Sequence, residues 1–132
     1  MATLFTREEA EALLPRIEPL LVAIRRLARD IAEQEARLHV EEDKLMGNGH
    51  KPPADSDVIR DIIRSLNRQV RNHVDTILAM GVIVKDLAEG LVDFPSLRNG
   101  REVYLCWKLG EDGIHWWHEI EAGFAGRQPL DD

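Results

Sequence analysis

The chain has 132 residues, a length that suits one domain. Its 44% apolar and 31% charged residues are the composition of a folded soluble protein and exclude wholesale disorder. A net charge of -7 disfavours binding along a nucleic-acid backbone, and one cysteine, Cys106, excludes an internal disulfide framework.

No apolar run nears the roughly 18 residues that cross a bilayer. The opening Met1-Ala2-Thr3-Leu4-Phe5 has neither the basic start nor the apolar core of a signal peptide. These features fit a reducing, bacterial-type cytoplasm. Charge is spread unevenly. Residues 1–80 hold 12 Lys+Arg and 14 Asp+Glu, a net of -2, and residues 81–132 hold 5 and 10, a net of -5. All three Trp, the only Tyr and the only Cys follow Gly81. A change of structure is expected there, within a single domain spanning 1–132.

Thr6 reads as a helix N-cap, and Glu9 three residues on completes a capping box. Apolar residues recur at 3–4 spacing through Ala10, Leu13, Ile17, Leu20, Ile24, Leu27 and Ile31, with Leu14, Leu21 and Ala28 widening the stripe. Pro15 and Pro19 predict a kink, or a short helix ending near Leu14. Beyond Ile31 the stripe thins to Leu38 and Leu45, among exposed acids such as Glu33, Glu35 and Glu41. The Gly- and Pro-rich stretch around 47–55 predicts a mobile tip.

A second helix is expected from Asp55-Ser56 to Met80-Gly81, with Val58, Ile59, Ile62, Ile63, Leu66, Val70, Val74, Ile77 and Leu78 on its apolar face. Arg60, Arg64 and Arg68, with Arg71 beside them, form a basic stripe that Asp57 and Asp61 partly neutralise. His73 sits near the apolar face and reads as a core residue. Residues 1–80 thus predict a long antiparallel helical hairpin, with an apolar stripe too wide for two helices to cover alone.

After Gly81 the period becomes two. Strands are expected over 82–87, over 91–94 with a stop at Pro95, over 101–109 after the Asn99-Gly100 turn, and over 114–120 after a turn at 110–113. The overall class is α+β: the hairpin plus a small C-terminal antiparallel β module, 81–132, closed by a Gly-rich tail.

The opening Phe5-Thr6-Arg7-Glu8-Glu9-Ala10 with Leu13-Leu14-Pro15 resembles the start of a prokaryotic family of unknown function. Three later stretches resemble its other motifs: Gly90-Leu91-Val92-Asp93-Phe94-Pro95, Gly100 to Trp107, and Trp117-His118-Glu119 with Gly123-Phe124-Ala125-Gly126-Arg127-Gln128-Pro129. The resemblance covers nearly all of the chain outside 34–57. It implies a small bacterial protein and brings no activity with it. His115 stands outside its motif.

Pairing the last two long strands about a turn at 110–113 places Trp107 opposite Trp116 and Leu105 opposite His118. One face is then apolar with His118 alone, and the other carries Cys106, Trp117, Tyr104, His115 and Glu119. His115 and His118 point to opposite faces and cannot share an ion. His118 could join Glu119, or Asp93 or Glu102 from neighbouring strands, around a divalent metal such as Zn²⁺. The competing reading is a buried His118 bonded to a carboxylate or carbonyl. Cys106 as a nucleophile would need a nearby base; otherwise it is a half-buried strand residue against Trp117. The two glycines of 123–127 could let main-chain amides cup an anion beside Arg127. Alternatively, Phe124 plugs the core and Arg127 pairs with a carboxylate.

The functional expectation is a non-enzymatic assembly or interaction protein, a homodimer or higher homo-oligomer joined in coiled-coil fashion through the helices. The alternative is a metal- or small-ligand-binding module, hydrolytic in one version, that uses Asp93, Glu102, Cys106, Trp117, His118, Glu119 and Arg127.

Overall fold

The structure is a computed structural model that describes residues 3–48 and 54–130. Helix α1 spans Arg7–Asn48 and helix α2 spans Ala54–Ala79. Five strands follow: β1 Ile83–Asp86, β2 Leu91–Arg98, β3 Arg101–Lys108, β4 Trp116–His118 and β5 Gln128–Pro129. A 3-10 turn, Phe124–Gly126, precedes β5. Of the expected tip, residues 49–53 lie outside the described residues.

The capping box forms as the sequence requires. Thr6 N donates to Glu9 Oε1 at 2.9 Å, and Glu9 N donates to Thr6 Oγ1 at 3.1 Å. At Pro15 and Pro19 the helix does not end near Leu14: α1 runs through both. The two rings sit four residues apart on the exposed side of the helix. The carbonyls that lose their amide partners, those of Glu11 and Pro15, therefore face water rather than protein. Helix α2 ends as expected: Gly81, at φ +89, donates its amide to Leu78 O.

The strands form one antiparallel meander in the order β1-β2-β3-β4-β5. Asn99 and Gly100, both at positive φ, make the two-residue link between β2 and β3. Strand β2 does not stop at Pro95 but runs on to Arg98. The Pro95 carbonyl accepts from Phe5 N at 2.7 Å, away from β3, so the missing Pro95 amide falls on that same side and costs the β2–β3 ladder nothing. The expected final strand shrinks from seven residues to Trp116–His118.

One face of the sheet packs against the first half of α1 and the end of α2. Val92, Phe94, Val103, Leu105, Trp107 and Trp117 meet Phe5, Ala10, Ile17, Leu21, Ile24 and Ile77 in a single buried cluster. Phe5 meets Phe94 edge-to-face with centroids 5.5 Å apart. Both ends of the described chain are tied to the sheet: Ser96 Oγ donates to Phe5 O at 2.6 Å, and Leu130 N donates to His115 O at 2.9 Å.

Candidate functional site

The register of β4 decides what lies on the outer face of the sheet. Tyr104 stands opposite His118, Leu105 opposite Trp117 and Cys106 opposite Trp116. This differs by one residue from the pairing expected about a four-residue turn. The link is longer than that turn: Ile114 N leaves the ladder and donates to Glu11 Oε1 on α1 at 3.2 Å. A one-residue shift exchanges the faces of a strand. Trp117 therefore enters the core, 8% exposed and with the Arg98 guanidinium 4.8 Å from its ring centroid, and leaves the candidate site. His118 passes to the outer face, which it shares with Cys106 and Tyr104.

Asp93 on β2 stands directly opposite Cys106 on β3, and His118 is the diagonal neighbour of Cys106 on β4. Opposed and diagonal side chains on one face of a sheet are in reach of each other. Asp93 Oδ1 lies 3.0 Å from His118 Nε2, and ligand-type atoms of Asp93, Cys106 and His118 all lie within 4.8 Å of one another. All three are buried, at 1%, 0% and 1% exposure. His118 Nδ1 is 2.7 Å from the carbonyl oxygen of Glu119. The second carboxylate oxygen, Asp93 Oδ2, is buried and accepts no hydrogen bond from a described residue.

Burial, then the charge of Asp93, pushes the Cys106 thiol up to about 12; Arg127 opposes this. A thiol held protonated in this way is a poor nucleophile. Arg127 Nη2 donates to Cys106 O at 3.3 Å and to Glu111 Oε1 at 2.7 Å, and its guanidinium lies over Trp116 and Phe124, 5.2 and 4.6 Å from their centroids. Arg127 thus closes the outer face over Cys106. The expected carboxylate partner exists, but Phe124 does not plug the core: it is exposed and serves as a platform for Arg127.

Glu102 and Glu119 do not join the cluster. Glu102 is exposed, opposite Leu97 near the hairpin turn, and the Glu119 carboxylate is engaged by Arg101 at the surface. Glu119 serves His118 through its main chain instead. His115 binds Asp112 and Arg7, apart from His118. On the helices, Arg60 pairs with Asp57 and Glu42, and Arg64 with Asp61. His73 is half-buried and lines a groove of about 630 Å³ with Pro15, Pro19, Val22, Leu27 and Gln69.

A helical hairpin joined to an antiparallel meander, with a buried Asp-Cys-His cluster on the outer face of the sheet, defines a small α+β protein. No described helix is long and apolar enough to cross a membrane. The chain belongs to the family of uncharacterized conserved proteins DUF2203, whose profile matches residues 3–130. Neither the curated proteins nor the solved structures give a match.

Proposed function

We propose that the chain is a non-enzymatic interaction module that works as a homo-oligomer, its helical arms packing on those of a second copy in coiled-coil fashion inside the bacterial cytoplasm. The observation that carries this reading is the state of the arm beyond the sheet. From Arg25 to Lys44 no residue of α1 is buried, although Leu27, Ile31 and Leu38 continue its apolar stripe. Val22 and Val40 of α1, with Val58 and Ile62 of α2, are exposed large apolar side chains. A pair of helices left in this state is completed by further helices.

Charge points to a second copy as the occupant. Between the two helices, the ion pair formed in the arm among the described residues is that of Arg60 with Glu42. Arg68 and Arg71, and Glu33 and Glu35, have no ion-pair partner among the described residues. An antiparallel second arm would bring the acids of α1 against the arginines of α2. The non-enzymatic side rests on the closed outer face, where the polar cluster offers a substrate no surface.

Multi-angle light scattering at micromolar concentration tests the proposal. The expected mass is that of a dimer or larger, falling to a monomer in the double variant Val58→Glu, Ile62→Glu. Both positions are solvent-facing in one copy, so the fold itself should tolerate the change. A wild-type mass equal to one chain overturns the reading.

A further inference from the structure

The outer face of the sheet presents a chemical problem that assembly leaves untouched. His118 Nδ1 faces a main-chain carbonyl at 2.7 Å. A carbonyl only accepts, so Nδ1 carries a hydrogen and donates it. In the neutral ring Nε2 is then the lone-pair nitrogen, and it points at Asp93 Oδ1 from 3.0 Å. A nitrogen lone pair and a carboxylate oxygen at that distance repel each other unless a positive charge lies between them. A proton would supply it, as an imidazolium–carboxylate pair. That solution leaves Asp93 Oδ2 buried without a partner among the described residues and leaves Cys106 only as a protonated thiol against the Asp93 carboxylate.

We infer that Asp93, Cys106 and His118 bind one divalent transition-metal ion of the zinc class, a site that stands apart from the assembly reading. One sulfur, one imidazole nitrogen and a carboxylate are donors that zinc accepts, and the thiolate excludes magnesium and calcium, which require oxygen. Charge balances as well. A thiolate, a carboxylate and a neutral imidazole together carry -2, which the ion cancels, and the thiol proton leaves to solvent as the metal binds. Both oxygens of Asp93 are free to serve, so the orphaned Oδ2 gains a partner. The Nδ1–H bond to Glu119 O is the outer-shell contact that orients a metal-binding imidazole.

With metal bonds of about 2.0–2.3 Å, ligand atoms of a tetrahedral site stand roughly 3.3–3.5 Å apart, so a cluster whose ligand atoms lie within 4.8 Å of one another closes by roughly an ångström as the ion binds. The ligands come one each from β2, β3 and β4. With solvent excluded and Asp93 binding through both oxygens, four donor atoms close the site as in a structural centre, and it pins the three-residue strand β4 to its neighbours.

The test uses untagged protein purified without chelator, followed by titration of Co²⁺ into metal-stripped protein. The expected results are one zinc-class ion per chain by elemental analysis, and a thiolate-to-cobalt charge-transfer band that saturates at one equivalent. Cys106→Ser should abolish the band, and His118→Gln should weaken binding by more than the roughly 10–100-fold that loss of an outer-shell partner costs. The wild-type spectrum decides the question even if a variant misfolds. Absence of the band from wild-type protein that is folded by circular dichroism overturns the site in favour of the proton-bridged pair. Equal affinity in a folded Cys106→Ser variant overturns it too.

Discussion

The arm and the sheet bury their residues by different rules. In the sheet both faces are closed: Val92, Phe94 and Trp107 are buried on one side, and Asp93, Cys106 and His118 on the other. In the arm, α1 has no buried residue between Ile24 and the end of its described side chains. The arm depends on helix propensity, a half-covered seam and surface ion pairs such as Arg64 with Asp61, each worth a few tenths of a kcal/mol. The sheet depends on close packing and loses energy wherever an atom is removed. The lesson is that one chain can hold a rigid end and a yielding end, and that substitutions should separate them.

The largest separation should come from truncation of matched apolar residues. Trp107→Ala removes the largest fully buried side chain and should cost about 3–5 kcal/mol, much of a stability of about 5–15 kcal/mol. Leu38→Ala, half-exposed in the arm, should cost about 1 kcal/mol or less. Urea unfolding of the two variants checks the contrast, and equal losses would erase it.

A second separation comes with pH. The thiol of Cys106 ionises near 9 when exposed and near 12 in the metal-free fold. Above pH 9 the unfolded chain therefore loses this proton while the folded chain keeps it. Stability is full below pH 9 and falls as pH rises toward 12. Cys106→Ala should flatten that decline, and urea midpoints of metal-stripped protein between pH 8 and 11 measure it. Iodoacetamide should modify Cys106 readily in urea and far more slowly in the native protein.

Smaller effects lie along α1. Pro19→Ala restores a helical amide on the exposed side, and we expect a gain of about 1 kcal/mol, well short of the ~3 kcal/mol propensity difference because the ring also stiffens the unfolded chain. Thr6→Ala removes the acceptor for Glu9 N and should cost about 1 kcal/mol. Both are read from thermal melts. A gain from Pro19→Ala larger than the loss from Trp107→Ala would reverse the assignment of rigid and yielding ends.

What was legible in the sequence follows the same division. The capping box at Thr6 and Glu9, the stop at Gly81 and the turn at Asn99-Gly100 are local chemistry, and they stand where spacing predicts them. The helical hairpin and the β module follow from periodicity. The errors have distant causes. Pro95 is tolerated in β2 because Phe5, 90 residues earlier, takes its carbonyl. The β4 register departs from parity because Ile114 N is held by Glu11, 103 residues away. Trp117 and His118 therefore exchange the faces that parity assigns them, while Cys106 and Tyr104 keep theirs. A buried His118 bonded to a carboxylate or carbonyl is one of the readings that the sequence offers, and it bonds to both Asp93 and the Glu119 carbonyl; that Cys106 lies against the same pair is not legible there. The local signal is Asp93 among the apolar residues of β2, and the side of the sheet on which His118 meets it is set by the contact of the 110–113 link with α1.

That contact has a consequence for how the chain tolerates insertions and deletions. Surface loops ordinarily absorb length changes at little cost. The link from Leu109 to His115 should not, because its length sets which side of the sheet each residue of β4 occupies. One residue more or fewer would turn Trp117 out of the core and His118 into it, whereas a change of two would preserve both assignments. Length variants of this segment should therefore follow an even–odd rule, with even changes tolerated and odd ones not.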